Sequence, residues 1–364
     1  MTNQKTVLVG LSGGVDSAVA ALLLKKQGYK VIGAFMKNFS ETKNKLTGEC
    51  SYLEDKKDAE KIAAVLNIPL KILNFEKEYK KSVIMPMFKS YSKGLTPNPD
   101  SLCNKIIKFP LLWKEAKKLK ADYIATGHYI KRIKKGSRYF LKIPKDRNKD
   151  QSYFLYNLTK KDLQHTLFPI ANLKKSKVRK IAQKNSFPNY DKKSTSGICF
   201  VGKINMKSFL KQKIKPKKGE IINPEGQILG THEGIMYFTI GERMREDANA
   251  AINKEFRNKY KSKLYVVDKK IKSNILVVAP ESHQSMLKSE FCIKNINWIT
   301  EKPKFPLKAK IRIRHLGELI SAKIRKKNKK ILCELKMPIK GIAEGQSAVI
   351  YKRKYLLGGG EIYY

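Results

Sequence analysis

Ser12-Gly13-Gly14-Val15-Asp16-Ser17 lies between an apolar run at residues 6–11 and a helix-patterned run at residues 18–27. A strand that ends in small residues and opens directly into a helix aims backbone N–H groups and the positive helix end at one point, where a phosphate oxygen binds. Gly13 and Gly14 let the backbone come close to such a ligand. Two other phosphate motifs are excluded, because no lysine follows as in the P-loop and no third glycine falls at dinucleotide spacing. What remains is the pattern SGGxDS.

That pattern resembles the pyrophosphatase loop of ATP-using enzymes that transfer AMP to a substrate oxygen and release pyrophosphate. The plainer reading is a glycine-rich turn in a buried βα unit, which a lone Gly-Gly pair would favour. Ser12, Asp16 and Ser17 in one tight turn behind a strand favour nucleotide instead. Around the loop, strand candidates at residues 6–11, 30–36, 70–75 and 123–126 alternate with helix candidates at 18–27, 55–66 and 102–119. This βαβα order predicts an α/β domain with a parallel sheet covered on both faces. Its ligand belongs beyond the carboxyl ends of the strands, where residues 12–17, Met36 and Gly127-His128 converge. His128 is as readily structural as nucleotide-facing.

After residue 209 the pattern changes. A lysine- and proline-containing linker at 211–219 precedes short strand-like runs at 220–222, 227–229, 236–239 and 263–267, which predict a small central β-rich domain. Runs at 275–278, 308–314, 319–324, 331–335 and 347–351 recur at hairpin intervals and predict an all-β barrel or sandwich. The expected domains are therefore 1–208, catalytic and adenylylating, 209–273, central, and 274–364, a C-terminal β-barrel.

Lys and Arg total 77 against 31 Asp and Glu, a formal charge of +46 spread along nearly the whole chain. Such a balance points to a polyanionic partner, nucleic acid first, although an excess of lysine over arginine also suits a merely solvated surface. No run approaches the roughly 20 apolar residues of a membrane span, so a soluble, cytoplasmic protein without a membrane partner is expected. Five scattered cysteines, Cys50, Cys103, Cys199, Cys292 and Cys333, do not make a disulfide scaffold. None forms a CxxC pair, which argues against a local zinc or close-spaced iron-sulfur site.

Thr96-Pro97-Asn98-Pro99-Asp100-Ser101-Leu102-Cys103-Asn104 predicts an extended turn entering a helix, with Asp100 or Ser101 as its cap and Cys103 in its first turn. The helix end would bias that thiol toward thiolate. Alternatively Asp100 only caps and Cys103 only fills core. Ser194-Thr195-Ser196-Gly197-Ile198-Cys199-Phe200 puts a second cysteine after a small, polar segment suited to a moving carrier, while Cys292 and Cys333 sit in runs that read as barrel core and Cys50 in a polar loop.

Together SGGVDS, Phe35-Met36-Lys37-Asn38, TPNPDSLCN, Ala125-Thr126-Gly127-His128-Tyr129, Lys149-Asp150-Gln151-Ser152-Tyr153-Phe154, the Gly197-Ile198-Cys199-Phe200 segment and Leu357-Gly358-Gly359-Gly360 resemble the bacterial tRNA-specific 2-thiouridylases over nearly the full length. The resemblance implies a monomeric enzyme whose three domains hold a tRNA anticodon arm. It thiolates the wobble uridine after ATP, with Mg2+, adenylylates oxygen 2. Nucleotide is expected at Gly10, Leu11, Ser12, Gly13, Gly14, Val15, Asp16, Ser17, Met36 and Gly127. Cys199 would carry sulfur as a persulfide from a donor or relay protein. Cys103 would be the second thiol, closing a transient Cys103 to Cys199 disulfide, with Asp100 as acid/base beside the flipped base. The implied tRNA contacts are Asn98, Pro99 and Asp100 at the base, then Lys149, Asp150, Gln151, Arg312 and Ile313, with Arg312 and Arg314 on one strand face toward phosphate. No resident metal site is expected, although spacing leaves open a cluster at Cys103, Cys199 and Asp100.

Two departures from the family pattern stand out. Ser194 replaces the acidic residue that commonly precedes the second cysteine's segment, and Gly241-Glu242-Arg243 runs into a charged, helix-compatible stretch at 244–261 instead of a glycine-rich one. Rival readings are a small-molecule synthetase with the same loop and a tRNA-binding protein whose catalysis has decayed. The first leaves TPNPDSLCN and the basic barrel unexplained, and retention of Asp16, Asp100, Cys103 and Cys199 opposes the second.

Overall fold

The computed structural model describes residues 4–41, 51–192, 199, 201, 205–245, 247, 249–259, 263–328 and 330–364. Cys50 and all of the 194–200 stretch except Cys199 lie outside them.

The first part of the chain runs β1 (Thr6–Gly10), α1 (Val15–Lys26), β2 (Lys30–Lys37), α2 (Ser51–Val65), β3 (Leu70–Asn74), α3 (Glu76–Tyr79), α4 (Met85–Ser92), α5 (Pro99–Cys103), α6 (Phe109–Lys118) and β4 (Tyr123–Ala125). It continues through a hairpin, β5 (Lys131–Lys135) and β6 (Arg138–Lys142), then α7 (Lys160–His165), β7 (Thr166–Leu167) and α8 (Lys175–Lys184). The order β3-β2-β1-β4-β7 makes a wholly parallel sheet.

Alternation explains its two-sided burial. Val7, Val9 and Leu11 join the core under α1 and α2, while Leu8, with Ile32 and Ile124, joins the opposite core against α6. Val7, Leu8 and Val9 are all 0% exposed, which is why β1 reads as a continuous apolar run rather than an alternating one. Each such side chain contributes about 1.5–3 kcal/mol by leaving water. β2 and β3 extend from one side of β1 and β4 lies on the other, so the loops after β1 and β4 face the crevice where strand order reverses.

The rod from residue 99 to 118 is not one regular helix. α5 passes through a π turn, Lys-rich at residues 104–108, into α6. Its cap is Asn98, whose side chain accepts the Ser101 N–H at 3.1 Å, rather than Asp100 or Ser101. Cys103 consequently falls at the end of α5 and inside the core, beyond the first turn.

The central domain contains α9 (Met206–Lys211), β8 (Gly219–Ile222), β9 (Ile228–His232), β10 (Ala250–Ile252), α10 (Lys254–Lys259), β11 (Leu264–Lys270) and β12 (Ile275–Pro280). Two expectations are corrected here. Ile235–Tyr237 is a 3-10 turn instead of part of a strand at 236–239. β12, expected in the barrel, pairs with β11 and β8, so a boundary at 274 would cut a hairpin. The departing stretch at 244–261 supplies edge strand β10 and α10.

β13 (Leu287–Trp298), β14 (Leu307–Arg312), β15 (Ile320–Lys327), β16 (Lys330–Lys340), β17 (Ser347–Lys352) and β18 (Tyr355–Tyr363) form a barrel in the order β13-β16-β15-β14-β17-β18, closed by β13 with β18. The Leu357-Gly358-Gly359-Gly360 tail lies inside β18, and a Cβ on Gly358 would stand 2.0 Å from Asn297 O, so glycine admits the closing strand. The β5–β6 hairpin leaves the catalytic domain and adds to β18 through Lys142 and Leu141. Cys333 is buried in the barrel core as expected, whereas Cys292 is only half-buried.

Candidate active site

Gly14, extended at φ −89°, precedes α1, which begins at Val15, three residues before the predicted start, so Asp16 and Ser17 occupy its first turn. The loop braces itself: Ser12 N–H donates to Ser17 Oγ at 3.2 Å, and Ser17 Oγ donates to the Gly14 carbonyl at 2.9 Å. Gly13 has φ +72°, and a Cβ there would meet Asp55 O at 2.3 Å. Gly127 is packed on the loop from β4, where a Cβ would stand 2.6 Å from Ser17 N. At Gly10 a Cβ would stand 3.4 Å from Met36 Cε, so the expected nucleotide residues do converge at the strand ends. His128 does not join them at the loop. It is buried, bonded to Thr126 Oγ1 at 2.8 Å and packed on the Phe109 ring, and burial followed by nearby Lys108 holds its pKa well below the usual histidine range.

A lysine reaches the loop from outside the motif. Lys175, the first residue of α8, places Nζ 2.6 Å from Asp16 Oδ1, which also accepts the Tyr129 hydroxyl at 2.7 Å. Burial lowers the Lys175 pKa despite the opposing pull of Asp16. Tyr129 is held in turn by Gln151, whose Oε1 accepts its N–H at 2.8 Å. The loop itself carries no lysine, as its sequence shows, and only the fold reveals a cation 159 positions away.

The second centre lies around Cys103 and Cys199, whose sulfurs are 4.0 Å apart. Both are free thiols, so the expected transient disulfide is not formed in this state. Asp100 Oδ1 accepts the Cys199 N–H at 2.6 Å, and Tyr79 OH donates to the Cys199 carbonyl. Lys108 Nζ approaches Cys199 Sγ at 3.4 Å. The two thiols differ: burial pushes Cys103 well above the ordinary thiol range, whereas the hydrogen bond from Cys103, and then Lys108, lower Cys199 against burial. The downward shift expected at Cys103 therefore falls on Cys199 instead. Asp100 is raised by burial, opposed by the Cys199 N–H. Lys108 was invisible in the sequence because five positions separate it from Cys103, an offset that misses the same face of an α-helix but is brought near alignment by a π turn.

All three domains meet at the 96–100 turn. Thr96 N–H donates to Glu344 O at 2.9 Å, Asn98 Nδ2 to Ser347 Oγ at 3.0 Å, and Thr96 Oγ1 lies 3.3 Å from Thr239 Oγ1. Asn98, Pro99 and Asp100 are half-buried there. Of the other expected tRNA residues, Lys149 and Gln151 are half-buried, while Asp150, Arg312 and Ile313 lie inside. Arg312 is buried and pairs through Nη1 with the fully buried Asp150 at 2.8 Å, and the Ile313 carbonyl accepts Tyr153 OH. Arg312 and Asp150 thus bolt barrel to catalytic domain, and Arg312 does not share a surface face with exposed Arg314. Among the described residues no group of three His, Cys, Asp or Glu side chains is placed to hold a metal ion, and no helix is long and apolar enough to cross a membrane.

Family comparisons agree with this layout. Residues 5–203 match a tRNA methyl transferase HUP domain, 207–280 a tRNA methyl transferase PRC-barrel domain, and 288–362 an aminomethyltransferase beta-barrel domain. The tRNA-specific 2-thiouridylase of Buchnera aphidicola is 44% identical over 98% of this chain and 96% of its own length. The chain belongs to the tRNA-specific 2-thiouridylase family. A 2-thiouridylase of Geobacillus kaustophilus is 42% identical over 99% of this chain and 95% of its own. A solved 4-thiouridine synthetase–RNA complex with bound ATP overlaps 58% of this 2-thiouridylase and 50% of its own chain, at 15% identity and a TM-score of 0.35.

Proposed function

We propose that this enzyme thiolates carbon 2 of the wobble uridine in the anticodon arm of tRNA, with ATP as activator and a protein-borne persulfide as sulfur source. Uracil oxygen 2 attacks the α-phosphorus, the α–β phosphate bridge breaks, and pyrophosphate leaves. Residues 10–17 and Gly127 supply the close backbone for the leaving phosphates, Ser12 supplies a hydroxyl, and Ser17 holds the loop in shape. Asp16 and Lys175 place one carboxylate and one ammonium at that end. Mg2+ suits this set as an ion carried on ATP phosphates with Asp16 as a protein carboxylate, and would neutralise phosphate charge. AMP then makes oxygen 2 a leaving group.

Cys199 carries the incoming sulfur. Its terminal sulfur bonds to carbon 2 as AMP departs, Cys103 attacks Cys199 Sγ, and the sulfur–sulfur bond to the substrate breaks. The thiocarbonyl keeps the bonding electrons, and the two cysteines leave as a disulfide that a thiol reductant reopens. Asp100, beside both thiols, is the carboxylate for proton exchange at a base turned out of its stack. The observation that carries this reading is the pair of inequivalent thiols 4.0 Å apart beneath a turn gripped by all three domains.

The decisive assay supplies purified protein with ATP, Mg2+, a protein persulfide donor and unmodified tRNA, and measures 2-thiouridine by nucleoside mass spectrometry. Cys199→Ala should lower thiolation by at least about 10³-fold while tRNA affinity stays within about twofold. Pyrophosphate release without any 2-thiouridine from the wild type would sink the thiolation reading.

A further inference from the structure

We propose that Lys108 is a positioning residue that selects Cys199, rather than Cys103, as the thiol that takes sulfur from the donor. This rests on the carrier role proposed above for Cys199. Two sulfurs 4.0 Å apart must be told apart by a persulfide donor, and the structure distinguishes them by position and by charge. Cys103 is 0% exposed, whereas Cys199 is half-buried and so closer to an arriving donor. The Lys108 ammonium lies 3.4 Å from Cys199 Sγ, carried there by the π turn at residues 104–108.

The groups packed around Cys199 give that ammonium a defined task. From α5 come the Cys103 thiol, which donates toward Cys199, and the Asp100 carboxylate, whose charge opposes a thiolate while its Oδ1 fixes the Cys199 N–H. From α3 comes the Tyr79 hydroxyl, engaged with the Cys199 carbonyl. His128 faces Lys108 and is kept neutral by burial, so it brings no second cation. Burial pulls the Lys108 pKa down, but Cys199 and then Cys103 more than offset this and hold it above the ordinary lysine range, so Lys108 stays charged. Ammonium and thiolate stabilise each other, and Cys103, deeper and protonated, is left as the later attacking thiol.

In the transfer step the Cys199 thiolate attacks the terminal sulfur of the donor persulfide. A new bond to Sγ forms, the donor's sulfur–sulfur bond breaks, and the donor departs as a thiolate. One nucleophilic thiolate is exchanged for another, with no outside oxidant or reductant.

The test uses the full-length enzyme and two readouts. Alkylation by iodoacetamide across pH, followed at the Cys199 peptide by mass spectrometry with Cys292 as internal reference, reads the thiolate alone. Lys108→Met should raise the midpoint by about one pH unit and slow alkylation near neutral pH about tenfold, while Lys108→Arg stays within about threefold of wild type. Lys108→Gln repeats the measurement should the methionine variant fail to fold. Separately, a ³⁵S-persulfide donor should label Cys199 in the wild type and label it about tenfold more slowly in Lys108→Met. An unshifted alkylation profile in folded Lys108→Met or Lys108→Gln overturns the role of Lys108. Labelled sulfur found first on Cys103 of the wild type overturns the carrier reading, and the selection with it.

Discussion

Residues 12–17 hold their shape through bonds between near neighbours, Ser17 Oγ to Gly14 O at 2.9 Å and Ser12 N to Ser17 Oγ at 3.2 Å. The sulfur centre has no such local frame. Its thiols come from the end of α5 and from a residue 96 positions later, its ammonium from a π turn, and its overlying turn is tied to the other two domains. The contrast teaches that the backbone frame of the proposed activating loop is contiguous in sequence, with Lys175 and Tyr129 reaching it through the fold, whereas the thiol centre is assembled wholly from distant parts of the chain. A substitution in the loop should therefore damage one step, and a substitution at a domain joint should damage delivery more than activation.

The harshest way to break this comparison is Asp16→Asn. Pyrophosphate release in the presence of tRNA should fall about 10²–10³-fold, with the alkylation profile of Cys199 unchanged. A shifted Cys199 profile would show the two centres to be one unit. Next comes Asp150→Ala, which leaves the Arg312 charge buried without its carboxylate. Stability in urea unfolding should drop by about 3–5 kcal/mol, and at temperatures where the variant remains folded thiolation should fall more than pyrophosphate release. Equal losses would remove the distinction. The smallest expected effect is Asn98→Ala, which deletes a helix cap and the bond to Ser347. About 1 kcal/mol of stability should be lost, with thiolation reduced and pyrophosphate release nearly intact.

The same contrast accounts for what the sequence disclosed. β1, the loop and α1 could be read because each depends on adjacent residues: an apolar run, two glycines, and a helix period. Cys103, Cys199 and Asp100 were recognisable one by one from the resemblance, and the structure brings them together. Lys108 and Lys175 were not, since a π turn has no marker in residue spacing and Lys175 reaches Asp16 only through tertiary packing. Arg312 and Asp150 were read from the resemblance as tRNA contacts, because sequence carries no sign that two opposite charges will face each other inside. The β5–β6 hairpin, basic and short, gave no hint that its partner would be β18.

That hairpin has a consequence for how the chain is made. β18 binds β17 on one edge, β13 across the barrel seam, and β6 of the catalytic domain, so one strand satisfies three others. Synthesis delivers residues 131–142 more than two hundred positions before their partner, as a domain emerging from the ribosome folds first. Until β18 is present, the hairpin offers an unpaired edge, the barrel stands open, and both are exposed to wrong pairing. Pairing of this one strand thus joins the barrel seam and the hairpin of the first domain at once.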